Sequence, residues 1–166
     1  LKKALLEDIP IRDSISSREA NWIPEISDID SKIKKEAEVV EFCRSLNLYI
    51  FNLLINKYGQ DLKNEQWVLE PYSEVLISLS ILDTTIKRFC QASEEKKKSM
   101  LPVLRLSISN QYQNMIKNSL DILAEIGESS EILVGWNKKL NYSPERIKYK
   151  IKIYKDLERY GKYYLD

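Results

Sequence analysis

Apolar residues recur at steps of three or four over three long stretches of this chain, and that spacing constrains the fold more than any other feature. Val39, Cys43, Leu46, Ile50 and Leu53 form the first series. Tyr72, Leu76, Leu79, Leu82, Ile86 and Phe89 form the second, and Leu101, Leu104, Ile108, Tyr112 and Met115 the third. Such spacing places one apolar stripe along one side of an α-helix. The boundaries agree. Ser31 is placed to cap the first helix and Gly59 to end it; Gly127 is placed to end the third. The spacing predicts helices over about 31–58, 64–91 and 97–126, with ASEEKKKS (92–99) as the turn before the third.

A fourth segment is ambiguous by periodicity. IKYKIKI (147–153) alternates with period two, as a strand would, yet Ile147, Ile151, Tyr154 and Leu157 fit one helical face. Ser143-Pro144 reads as an N-cap followed by proline at the first helical position, where a missing N–H costs nothing. A lone strand has no partner here, so a helix over 144–164 is expected. The predicted fold is all-α: an antiparallel up-and-down bundle of about four helices over 31–166. Residues 1–30 hold two prolines and four serines with no helical stripe, and are read as an irregular linker from an upstream domain, with Trp22 or Ile23 pinned to a surface.

At 166 residues, 43% hydrophobic and 31% charged, the chain has the composition of one soluble globular domain with a sizeable core. No apolar run has the length of a membrane span and no signal peptide is recognisable, so a cytoplasmic location is expected. The chain begins at Leu1, which suggests a piece of a longer protein. Net charge is +1 but uneven: −3 over residues 1–30 and +5 over residues 138–166. The tail YKIKIYKDLERYGKYYLD (149–166), carrying five of the ten tyrosines, could meet phosphates, anionic lipid or an acidic protein surface. A basic helix with tyrosine rings inward and hydroxyls outward is the preferred account of it.

Chemistry-bearing motifs are scarce. The sequence has no histidine, the commonest general base and transition-metal ligand. It contains no glycine-rich phosphate loop and no GxSxG. Cys43 and Cys90 both sit inside apolar helical patterns and are expected to be buried thiols. Asp28 and Asp30 lack the glycine and distal glutamate of a calcium loop. Glu70 and Glu74 share a helical face, with Glu65 about 140° round from Glu70; favourable charge in the first turns of a helix explains them without catalysis. No catalytic, cofactor-binding or metal-ligating residue is assigned.

The stretch GQDLKNEQWVLEPY (59–72) is the odd one. Asn64 is expected as an N-cap, with Glu65, Gln66 and Trp67 in the first turn. Pro71 then lies inside the helix, frees the Trp67 carbonyl and bends the axis. Trp67 and Leu69 are expected to pack on a neighbouring helix.

This stretch also resembles a motif of the C-terminal helical domain of the very-long-chain acyl-CoA dehydrogenase family. The matching positions are Gly59, Asn64, Glu65, Gln66, the aromatic Trp67 and the aliphatic Val68 and Leu69. LKKAL at the start is similar to the end of that family's catalytic part, and the helix order agrees over nearly the whole chain. Pro71 departs from the family pattern, as do Pro10 and Pro24 in the linker.

The resemblance implies a non-catalytic module of a flavoprotein of fatty-acid β-oxidation. The parent would bind FAD and form the 2,3-double bond of a long-chain acyl-CoA with residues upstream of Leu1. The module would pack on those catalytic domains and support a homodimer, with peripheral membrane contact as a further expectation. The alternatives are a free-standing helical protein-interaction adaptor, or binding of an anionic membrane or nucleic acid through the Tyr/Lys-rich tail. Nucleic acid is the less expected partner.

Overall fold

The computed structural model describes residues 31–160; the expected linker, Trp22, Ile23, Asp28, Asp30 and the last tyrosines lie outside the described residues. Among the described residues there is no strand. A 3-10 turn, Ser31–Ile33, leads into α1 (Lys34–Tyr58). A second 3-10 turn, Gly59–Asn64, leads into α2 (Gln66–Gln91), followed by α3 (Glu94–Glu125), α4 (Glu131–Leu140) and α5 (Arg146–Tyr160).

Residue pairings give the topology. Arg44 meets Asp83, Phe51 stacks on Tyr72 and Tyr58 meets Trp67, so α1 and α2 run antiparallel. Thr85 lies beside Ser107, so α2 and α3 form an antiparallel hairpin. Lys32 pairs with Glu94, Phe42 packs on Tyr112 and Lys57 reaches the Ile126 carbonyl, so α3 returns parallel to α1. Trp136 on α4 packs on Tyr49, and Arg146 on α5 reaches Asn110 on α3. Both short helices therefore run back down the bundle. α4 and α5 together make the fourth arm; the expected fourth helix is α5 alone, and α4 is a helix that the spacing did not predict.

The break in that arm has a local cause. Asn141 takes a left-handed conformation at φ 45° and ψ 49°, donating its N–H to the Asn137 carbonyl. Asparagine tolerates that conformation better than most residues and ends α4 there. Sequence periodicity missed α4, a ten-residue helix with Gly135 in its middle, where glycine reads as a stop. Its signal is Leu133, Trp136 and Leu140 at steps of three and four. Leu133 and Leu140 are buried and Trp136 packs against the core. α5 is helical, as expected, but starts at Arg146, two residues beyond Ser143-Pro144.

The core follows the three stripes with one correction. In α2 the buried series runs Val68, Tyr72, Val75, Leu82 and Phe89, with Leu79 and Ile86 half-buried between them. That sequence alternates four and three without interruption, so Val75 rather than Leu76 faces inward. Leu76 lies about 100° round the helix from Val75 and is 44% exposed. In α1, Val39, Cys43, Leu46 and Ile50 are buried, as are Leu104, Ile108, Tyr112 and Met115 in α3.

Helix ends divide along their chemistry. Gly59, at φ 53°, terminates α1. After α3, the Gly127 N–H donates to Ala124 and the Glu128 N–H to Leu123, the paired bonds of a Schellman stop with glycine at φ 72°. The expected turn 92–99 shrinks to Ala92-Ser93. Ser93 caps α3, its hydroxyl accepting from the Lys96 N–H, and Glu94 and Glu95 sit favourably in the first turn.

Asn64 does not cap α2. It closes the 3-10 turn, and Glu65 occupies the N-cap position without a side-chain cap bond. The turn takes up the residues that a direct helix start would have used. Ser93→Ala should therefore cost about 1 kcal/mol in urea unfolding, whereas Asn64→Ala should stay within about 0.5 kcal/mol of the parent. An Asn64→Ala loss as large as that of Ser93→Ala would restore the capping role. Pro71 lies inside one continuous α2, and its missing N–H leaves the Trp67 carbonyl without its helical donor. Pro102, buried inside α3, does the same to the Lys98 carbonyl.

Candidate functional site

The NEQW residues form the corner between α1 and α2. Glu65 turns back on the corner and accepts a 2.6 Å hydrogen bond from the Trp67 indole. The indole meets the Tyr58 ring edge-to-face at 6.2 Å, so Trp67 packs on its neighbouring helix while remaining about half exposed. Leu69 packs against the core, and Gln66 is exposed. Glu70 and Glu74 are exposed, and Glu65 is committed to Trp67. The three glutamates do not converge on a common point.

Beside this corner the α1–α2 face carries uncovered apolar surface. Phe51 stacks on Tyr72 with rings 19° from parallel. Arg44 donates to Asp83 at 2.6 Å further along the same two helices. Leu48 falls between these pairings on α1 and Leu76 between them on α2, 52% and 44% exposed. Steps of four and three put Arg44, Leu48 and Phe51 on one side of α1. Burial of the Tyr72 ring pushes its phenol up to about 12.

A polar clasp holds the fourth arm. Glu36 on α1 is buried and forms a 2.9 Å ion pair with Arg105 on α3. Arg105 also donates to the Lys32 carbonyl at 3.0 Å and lies over the Tyr149 ring of α5, 5.8 Å from its centre. Tyr142, in the link between α4 and α5, meets Tyr112 edge-to-face at 5.5 Å. Burial, then the Glu36 charge, raises the Tyr142 phenol, and burial raises that of Tyr112. Tyr112 donates to Asn137 on α4, and Arg146 donates to Asn110 and Gln113 on α3. Sequence reasoning missed this cluster because its members lie up to 113 positions apart in the numbering, Glu36 to Tyr149, and no local spacing relates them.

The clasp decides which side of α5 faces in. Arg146, Tyr149, Ile153, Asp156 and Leu157 are the half-buried residues along it. The expected inward face is the outer one: Ile147, Ile151 and Tyr154 are 75%, 50% and 61% exposed. Only Leu157 of that set turns partly inward. α5 carries six basic and two acidic side chains, a net charge of +4. An open groove at its start is lined by Pro144, Glu145, Arg146, Ile147, Lys148 and Lys150, all from one stretch of chain.

The two cysteines separate. Cys43 is buried, and desolvation raises its thiol; Cys90 is exposed, contrary to the sequence expectation. Cys90 directly follows the buried Phe89, so its place on the helix turns it outward. Under native conditions a thiol reagent should therefore titrate one cysteine of the two, and the second only after unfolding. Two fast equivalents would show that Cys43 is accessible. Among the described residues no cluster of acidic and cysteine side chains could hold a metal ion, and no helix is long and apolar enough to cross a membrane. No family model, curated protein or solved structure matches the chain.

Proposed function

We propose that this chain is a non-catalytic C-terminal helical module of an FAD-dependent acyl-CoA dehydrogenase of fatty-acid β-oxidation. It packs on the upstream catalytic domains and supports their dimer assembly. The observation that carries the reading is the uncovered apolar face of α1 and α2, where Leu48, Phe51 and Leu76 adjoin the NEQW corner. A neighbouring domain would remove that surface from water, at about 25 cal/mol per Å² of apolar area. The residues of the family-like motif support the same reading by their placement. Glu65 and Trp67 hydrogen-bond to each other and shape the corner, a structural use of the motif.

Two measurements test it. The open reading frame containing this sequence should extend upstream of Leu1 through the flavin domains. A frame starting just before Leu1 would overturn the reading. The 166-residue chain should co-purify with separately produced catalytic domains, and Leu48→Asp with Leu76→Asp should abolish the association. Capture unaffected by both aspartates would place the docking face elsewhere.

A further inference from the structure

We infer that residues 19–30 of this chain dock on the outer face of α5. The inference is independent of the α1–α2 face and of the proposed parent protein. It starts from the position of Ser31. The Lys32 carbonyl accepts from Arg105, and the same guanidinium lies over the Tyr149 ring in the first turn of α5. Lys35 donates to the Leu140 carbonyl at 2.7 Å, at the end of α4. Ser31 is therefore held beside the start of α5, and the covalent path of the preceding residues begins there.

Charge then selects the occupant. EANWIPEISDID (19–30) carries four acidic and no basic side chains, against a net +4 on α5. Lys148, Lys152 and Lys155 are exposed and form a ridge about 60° wide on the helical wheel. Beside that ridge lie the exposed Ile147, Ile151 and Tyr154, for which Trp22, Ile23, Ile26 and Ile29 are apolar counterparts. Glu158 falls on the same side further along α5, so cations and apolar side chains coincide over 147–155, the part nearer Ser31. Reach is ample. Twelve residues extend to about 40 Å, whereas 147–155 rises only about 12 Å. Lys148 pairs with Glu145 at 2.6 Å, a surface contact that exchanges partners at little cost. Other occupants fit less well. A second copy presenting its own α5 would bring like charge to like charge. A bilayer would meet Glu158 within the contact. A separate acidic protein lacks the tether, which holds an attached segment at an effective concentration on the order of millimolar.

Carbodiimide coupling of the 166-residue chain, which joins carboxylates to amines in contact, tests the inference. In a mixture of isotopically light and heavy chains, coupled peptides joining residues 19–30 to Lys148, Lys152 or Lys155 should carry a single isotope throughout. Mixed-isotope peptides would place the segment on a second copy and overturn the proposal, and so would the absence of such peptides. Amide exchange supplies the second readout. Lys148→Glu, Lys152→Glu and Lys155→Glu together should speed exchange over residues 22–30 by about fivefold. Glu25→Lys, Asp28→Lys and Asp30→Lys together should do the same, and this set leaves every residue of the bundle unchanged. Combining the two sets reverses both partners and should restore the slower exchange. Far-UV circular dichroism confirms that α5 stays folded in the lysine variants. Exchange indifferent to both sets overturns the proposal, as does a combined variant that exchanges no more slowly than either set alone. Slower exchange over residues 22–30 that appears only on adding phosphatidylglycerol vesicles or duplex DNA would assign the face to an external polyanion and overturn it too. None of these outcomes bears on the docking of Leu48 and Leu76.

Discussion

Phe42→Ala is expected to lower stability by about 3–5 kcal/mol, the largest loss from any single truncation considered for this bundle. Phe42 has no solvent exposure and meets the Tyr112 ring edge-to-face at 5.8 Å. It sits where α1 and α3 run parallel and share the core. Truncation removes its burial free energy and leaves a cavity that rigid neighbouring helices only partly close. It also removes the aromatic pair, worth about 0.5–1.5 kcal/mol beyond its area. Domains of this size are typically stable by about 5–15 kcal/mol, so the variant should approach half-unfolding in mild urea. Urea denaturation followed by circular dichroism measures the change. A loss below about 1.5 kcal/mol would mean that Tyr112 and its neighbours collapse into the space and that the core is less tightly defined than its burial indicates.

Arg105→Ala should be nearly as damaging, by a different route. It strands the Glu36 carboxylate among α1, α3 and the Tyr142 link without its cation. Breaking a buried pair from one side costs about 3–5 kcal/mol. Arg105 keeps 28% of its side-chain exposure, so the lower end is expected here. Replacing both partners by Met should recover most of the loss, because the cost lies in the unpaired charge rather than in the absent bond. The variant has a second readout. Arg105 also supports Tyr149, so amide exchange over Arg146–Tyr160 should accelerate more than exchange over α2. Uniform acceleration would mean that the pair stabilises the bundle as a whole and does not secure α5 in particular.

The three long helices were legible because each carries its signal within itself. A run of three- and four-residue steps, closed in α1 and α3 by a glycine at positive φ, requires no knowledge of the neighbours. Boundaries were less legible where two local solutions compete. Asn64 is a good cap by residue type, but the chain spends Gly59–Asn64 on a 3-10 turn and starts α2 at Gln66. The lysine run after Ser93 looked like a turn because it is polar, yet Ser93 and the two glutamates behind it start a helix. Cys90 was misplaced for a related reason: a residue adjacent to an inward Phe89 shares its apolar context without sharing its direction.

The candidate surfaces were the least legible. NEQW identified a corner, and the structure shows how Glu65 and Trp67 build it, but the adjoining Leu48 and Leu76 become one patch only through the antiparallel pairing of α1 with α2. In α5 both faces contain residues able to be buried. Periodicity alone favoured Ile147, Ile151 and Tyr154, since it scores apolarity and cannot score a cation held by a buried carboxylate on another helix.

By itself the sequence determined the all-helical class, the three principal helices and most of their buried stripes, because helix periodicity and glycine stops act over a few residues. Only the tertiary structure decided that the fourth arm breaks at Asn141 and that α5 turns its tyrosine and arginine inward. Glu36, Arg105, Tyr142 and Tyr149 come together only once α1, α3 and the fourth arm are packed. A buried charge must find its partner there, and that requirement outweighs burial of two isoleucines at the surface of the bundle.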